Sequence, residues 1–169
     1  MYKRQINKFR KLSKESNLII TTGGVSVGDA DYIRDALLKI GSINFWKISI
    51  KPGRPLAFGT IGPSYFFGLP GNPVSTSVTF DLFVRPAIYK ILSLGKRKDI
   101  TIKAILVGAL RKKRGRVEYK RGILFKKEGK YYVKASGLQG SNILSSLAIA
   151  NCYITVSYTH LTLPTIYSV

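Results

Sequence analysis

The chain has 169 residues, 45% of them apolar, with one cysteine and a formal charge of +20 from 28 Lys and Arg against 8 acids. That length admits one ordinary domain or two small ones. The single Cys152 excludes an internal disulfide framework, fits a reducing compartment, and reads as a small core residue in an apolar run. No stretch approaches the ~20 apolar residues of a membrane helix, and the basic N-terminus lacks the apolar segment of a secretory signal. The cation surplus attracts anions, so nucleic acid, a membrane surface and a phosphorylated small molecule are all admissible partners.

The first half alternates strand and helix signals. Leu18–Thr22 is a short apolar, β-branched run, as a buried strand requires, and a glycine-rich turn follows from Gly23 to Gly28. Asp31 to Ile40 carries apolar residues at helical spacing, with acids at its start and Lys39 near its end, which suits the helix dipole. Gly41 is a natural stop. Ile43–Ile50 reads as one strand, and Lys51–Pro55 as a turn. Leu56–Gly59 and Tyr65–Phe67 read as short strands joined through Ile61–Ser64. Asn72 and Pro73 then supply an N-cap and a first helical position for a helix from about Val74 to Leu92. Pro86 should kink or split that helix, and Gly95 ends it.

Fifteen of the basic residues fall between Lys96 and Lys134, and none follows Lys134. Lys96–Asp99 reads as a basic linker, so the expected domains are 6–95 and 100–156. After the linker the pattern turns to strands: Ile100–Leu110, Val117–Phe125, Tyr131–Ala135 and Asn151–Thr155, with a turn at Glu128–Gly129. Asn142–Ala150 fits either type. Short strands at this spacing suggest a small sheet or barrel. There is no internal repeat. Residues 1–5 and 157–169 have no clear periodic partner and are expected to be non-native remnants of processing, cloning or sequencing. The fold class expected from this pattern is α/β, followed by a small mostly-β barrel-like domain.

Four features carry chemistry. A strand, then Gly23–Gly24, then a helix start is an anion-binding arrangement, although a plain tight turn reads equally well; the spacing matches neither the Walker nor the dinucleotide motif. Asp29 and Asp31 flank the helix start, where they could hold a hard divalent cation such as Mg²⁺, or one could cap the helix and the other be solvated. Lys47 and Lys51 are four apart, so a straight strand would point both to one face, and with Arg54 they could grip an anion or be surface cations. Gly68–Pro73 packs two prolines and two glycines into six residues before a helix, a rigid turn typical of ligand sites in α/β sheets or a structural turn. The lone His160 has no assigned role.

Thr22–Tyr32, Phe45–Pro55 and Phe67–Ser75, followed by Tyr119–Gly122, Gln139–Ser141 and Leu144–Leu147, resemble in order and spacing the bacterial MoeA and gephyrin E-domain family, the molybdopterin molybdenumtransferases. The resemblance runs from about Leu18 to Ile154. It implies that the α/β part is a partial three-layer αβα molybdopterin-binding domain, and that the protein is an enzyme of molybdenum cofactor biosynthesis, which inserts molybdenum from molybdate into molybdopterin released from its adenylylated form, with Mg²⁺. It implies Asp31, Lys47 and Lys51 as catalytic residues, with Asp31 also the metal ligand. It implies Gly23, Gly24, Ser26, Arg54, Pro70, Gly71, Asn72, Pro73, Arg121 and Ser141 as cofactor-binding, the last two facing the cleft from the C-terminal domain. A cytoplasmic location, a homodimer for the whole protein and no membrane or nucleic-acid partner are implied as well. Family members are roughly twice this length or more, so the chain alone is expected to turn over little or not at all. The alternatives are a non-catalytic molybdopterin-binding module, a pterin adenylyltransferase-like domain and, more remotely, a basic nucleic-acid-binding protein.

Overall fold

A computed structural model describes residues 2–24, 32–95, 99–110, 115–156 and 165–168. In chain order the elements are α1 (Tyr2–Glu15), β1 (Leu18–Thr22), α2 (Tyr32–Ile40), β2 (Gly41–Lys47), β3 (Ile50–Lys51), β4 (Pro55–Ile61), β5 (Ser64–Leu69), α3 (Pro73–Thr79), a π-helical turn (Phe80–Val84) and α4 (Arg85–Ile91). There follow β6 (Thr101–Lys103), β7 (Ile105–Leu106), β8 (Val117–Lys127), β9 (Lys130–Ala135), α5 (Leu144–Ala148), β10 (Cys152–Val156) and β11 (Thr165–Ser168). They fall into two compact units, Met1–Ile48 with Gly53–Phe80, and Ser49–Pro52 with Asp81–Val169. These compact units divide inside the helical run, at Phe80.

The first unit is built on a four-stranded sheet in the order β1-β5-β4-β2. β1 pairs parallel to β5, and β4 pairs antiparallel to both β5 and β2. β1, β5 and β2 therefore run in one direction, and their C-terminal ends share one edge of the sheet. On one face Phe9 of α1 and Leu37 of α2 pack with Ile19, Ala57, Ile61 and Phe66, flanked by Leu12, Ile40 and Ile43. Phe9 meets Phe66 edge-on, with ring centroids 5.9 Å apart. The other face buries Leu56, Phe67 and Leu69.

α1 corrects the expectation for the N-terminus. Ile6, Phe9, Leu12 and Ser13 recur at helical spacing, and Phe9 and Ser13 are buried, so residues 2–5 are the first turn of a helix rather than a segment outside the fold. Its end is tied to the sheet: Ser64 Oγ donates to Ser13 O at 2.9 Å, and the Tyr65 amide donates to Asn17 O at 3.0 Å.

The second unit is mostly β, a curled sheet in the order β6-β11-β10-β8-β9-β7 with β3 beside β8. Ala104, Val133, Cys152 and Ile154 form its core, with Leu106, Leu110 and Leu124 against them. Glu128 and Gly129 turn the β8–β9 hairpin with both φ angles positive, +49° and +76°, as the tightest two-residue hairpins require. The single strand expected over Ile100–Leu110 is two short ones, β6 and β7, and the ambiguous stretch after Asn142 contains α5. Thr165–Ser168 pairs with both β10 and β6, so part of the C-terminal segment expected to lie outside the fold is a strand of this sheet. The α/β unit followed by a curled, mostly-β unit agrees with the fold class expected.

Pro86 splits its helix as expected. Proline cannot donate the amide hydrogen bond that continues an α-helix, and a π-helical turn precedes α4, which holds Pro86 in its first turn. In that turn Asp81 pairs with Arg85 and accepts a hydrogen bond from Tyr153 Oη at 2.9 Å. Burial, followed by the neighbouring Asp81 carboxylate, pushes the Tyr153 hydroxyl well above its ordinary range.

Candidate functional site

Parallel pairing of β1 with β5 puts Thr21 opposite Gly68 and Thr22 opposite Leu69. The two glycine-bearing loops therefore leave the sheet side by side. The Gly23 amide donates to Leu69 O at 3.0 Å, and a Cβ built on Gly71 would lie 3.5 Å from Gly23 Cα. Gly23 and Gly24 have φ of +77° and +68°, a region that side chains disfavour by about 1–2 kcal/mol. Two backbones thus meet at the C-terminal edge of the strands, where open α/β sheets bind ligands.

Beyond β5, Pro70 is buried while Gly71, Asn72 and Pro73 are exposed. Asn72 has the extended backbone of an N-cap and Pro73 the first helical position, as expected, but the Asn72 side chain makes no capping hydrogen bond. Thr76 ties the loop instead: its hydroxyl donates to Pro70 O at 2.5 Å and Asn72 O at 3.0 Å. That clamp fixes the path of the loop and leaves its outer surface open.

Lys47 ends β2 at the same edge, paired with Pro55 at the start of β4. Ile48 N donates to Arg54 O at 2.9 Å, which closes the neck of the excursion between the two strands. Lys47 and Arg54 are both exposed. The edge of the first unit therefore carries Gly23, Gly24, Pro70, Gly71, Asn72, Pro73, Lys47 and Arg54.

Lys51 does not share a strand with Lys47. β2 is irregular between Ile43 and Phe45 and between Phe45 and Lys47, and the chain then leaves the first sheet. Ile50 and Lys51 form β3, paired with Val117 and Glu118 of β8 in the second unit. The expected single straight strand from Ile43 to Ile50, with both lysines on one face, is thus replaced by two strands in two sheets. Lys51 Nζ meets Glu118 Oε1 at 3.3 Å.

Arg121 is also placed differently from the expectation of a cleft-facing side chain. It is 1% exposed. Its Nη2 donates to Leu138 O, Gly140 O and Ser146 Oγ, each at 3.0 Å; Nη1 donates to Gln139 O at 3.3 Å, and Nε to Ser146 Oγ at 3.1 Å. The Gln139 side chain returns two bonds to the Arg121 backbone, at 2.8 and 3.1 Å. The guanidinium is the organising centre of the loop that carries Ser141, which is itself partly buried. Burial lowers the pKa of Arg121.

Ser26, Asp29 and Asp31 lie outside the described residues. Among the described residues no three His, Cys, Asp or Glu side chains converge, so these residues do not by themselves make a coordination set for Mg²⁺. Among them, too, no helix is long and apolar enough to cross a membrane. Two residues not singled out from the sequence are Glu118, which meets Lys51, and Lys120, which meets Glu118; their alternation on a strand marks them as sharing one face.

Two family models match the chain: "Probable molybdopterin binding domain" over residues 2–90, and "MoeA C-terminal region (domain IV)" over 103–158. A molybdopterin molybdenumtransferase of Haemophilus influenzae is 42% identical over 150 residues, which cover 88% of this chain and 37% of the relative. Gephyrin of Dictyostelium discoideum is 35% identical, covering 88% of this chain and 24% of its own length. The chain thus spans well under half the length of these relatives. Among solved structures, a molybdenum cofactor biosynthesis protein from Pyrococcus furiosus superposes with a TM-score of 0.70 at 25% identity, over 98% of this chain and 54% of that one. With the first model matching more than half of its residues, the chain belongs to the molybdopterin-binding domain family, continued by a MoeA C-terminal region.

Proposed function

We propose that this chain carries the pterin-holding half of a molybdopterin molybdenumtransferase site, which inserts molybdenum from molybdate into molybdopterin released from its adenylylated form. The observation that carries the reading is the meeting of the Gly23 loop and the Pro70–Pro73 loop at one sheet edge, beside Lys47 and Arg54. A ligand with phosphate and thiolate groups needs close backbone approach and fixed cations, and this edge supplies both.

In this reading Lys47 and Arg54 hold anionic groups at this edge, and Lys51, in the second unit, is a further anion-holding cation. Gly23, Gly24 and Gly71 admit the ligand to the backbone, with Ser26 and Asn72 as polar partners and Pro70 and Pro73 as rigid walls. Asp31 positions molybdate, and would be one ligand of Mg²⁺ with others from beyond the described residues. Arg121 acts by holding the loop that presents Ser141. Catalysis rests on positioning and charge stabilisation rather than on a nucleophile. We place the reaction in the cytoplasm, in a homodimer of the whole protein.

The test is ligand binding at two salt concentrations, with molybdopterin set against RNA and duplex DNA. Pterin binding that survives competition by nucleic acid is the expected result; RNA that displaces the pterin reverses the reading. The 169-residue chain by itself should show little or no turnover, and measurable molybdate insertion by it would overturn that expectation.

A further inference from the structure

Glu118 of β8 is a buried carboxylate between two lysines. Its side chain is 4% exposed; Lys51 Nζ lies 3.3 Å from Oε1 and Lys120 Nζ 2.9 Å from Oε2. The backbone brings Lys51 there as well, since it stands opposite Glu118 in the parallel β3–β8 pair, and the Val117 amide donates to Ser49 O at 3.1 Å. Burial alone would raise the Glu118 pKa, but the hydrogen bond and charge of Lys120, with those of Lys51, outweigh it and hold the carboxyl below its ordinary value.

The three groups differ in exposure. The side chains of Glu118 and Lys120 are nearly covered, whereas that of Lys51 is 47% exposed. One anion and two cations leave one positive charge, and Lys51 is the group that meets solvent. Without Lys120, Glu118 would neutralise the charge of Lys51; without Glu118, the flexible lysine stem would have to be ordered by its ligand at an entropic cost. We infer that Glu118 is a positioning residue for Lys51: it fixes the ammonium in advance for an anionic ligand, while Lys120 offsets its charge. The inference rests on Lys51 being a ligand-holding cation, as proposed above.

The test uses the 169-residue chain and Glu118→Gln, Lys51→Met and the double variant, with molybdopterin as the probe. Positioning predicts that Glu118→Gln weakens binding about tenfold in the parent chain and has little further effect once Lys51 is Met, the non-additivity of groups acting as a unit. A mere counter-charge predicts the opposite sign, because removing an anion strengthens anion binding. Unchanged or tighter binding in Glu118→Gln, or an equal loss in the Lys51→Met background, overturns the inference. Glu118→Asp keeps the charge and should restore part of the affinity, which separates positioning from a folding defect. The Lys51 ammonium resonance is read in parallel by ¹⁵N NMR without ligand. It should be distinct in the parent chain and collapse toward the free-lysine position in Glu118→Gln. If Lys51→Met leaves pterin binding intact, the proposed function of Lys51 fails, and the NMR shift alone decides whether Glu118 holds it.

Discussion

Arg121→Ala tests whether this arginine organises a loop or touches a ligand. The change removes five hydrogen bonds from a fully buried guanidinium, spread over Leu138, Gln139, Gly140 and Ser146. A bond from a charged donor contributes about 1.5–3 kcal/mol where its acceptor stays buried. Leu138 is exposed and Gln139 and Gly140 partly so, so water can replace the guanidinium at their carbonyls and those losses are small. Ser146 is buried and loses two donors. One full loss at Ser146 and fractional losses at the three carbonyls give about 3 kcal/mol, which lowers Tm by about 10 °C for a chain of this size. Thermal unfolding followed by near-UV circular dichroism, with limited proteolysis of residues 137–143, measures both effects. Arg121→Lys should recover less than half of the loss, because one ammonium cannot span acceptors that the guanidinium fork reaches together. A Tm within about 2 °C of the parent, combined with lost pterin binding, would refute the structural role and return Arg121 to the ligand.

Three further outcomes are expected. Gly71→Ala should leave stability nearly unchanged, because its Cβ meets Gly23 Cα at an ordinary 3.5 Å, yet weaken pterin binding by filling the approach to the backbone; equal affinity in a titration would remove Gly71 from the site. Gly59→Ala should cost at least about 2 kcal/mol in denaturant unfolding, since its Cβ would lie 2.0 Å from Ser42 O and 2.8 Å from Ile43 Cα, backbone atoms of the neighbouring strand; a neutral result would mean that β2 does not pair there. Burial pushes the Cys152 thiol up from 9.0 to about 11. Folding therefore favours the protonated form, and its contribution is complete below pH 9 and lost as pH rises toward 11. Cys152 should resist a thiol reagent at pH 8 in the native chain and react on denaturation, and fast native labelling would contradict its burial.

Much of the site was legible because short-range rules set it. Leu18–Thr22 is the strand its apolar, β-branched residues announce, although it lies at the sheet edge with only Ile19 buried; Asn72–Pro73 opens a helix through an extended cap backbone and the fixed φ of proline, and Pro86 interrupts one by lacking a donor. Glu128–Gly129 turns a hairpin because glycine tolerates positive φ. The order of the motifs was enough to identify the family. Each of these features lies within a few residues of its cause.

What tertiary structure alone decided is which distant segments meet. The β1–β5 pairing, across more than forty intervening residues, turns two glycine loops of ambiguous meaning into one edge. The departure of Ile50–Lys51 to β8 separates Lys47 from Lys51, although their spacing of four suggested a shared face. Arg121 is buried because Leu138, Gln139, Gly140 and Ser146 present oxygens to it, and nothing near Arg121 in the chain announces them. Residues 2–5 and 165–168 acquire structure from a helix and a sheet whose partners lie elsewhere. Periodicity and turn chemistry report the local backbone, whereas charge burial and strand pairing depend on contacts that close long loops, and the function of a lysine or arginine depends on which of those contacts it makes.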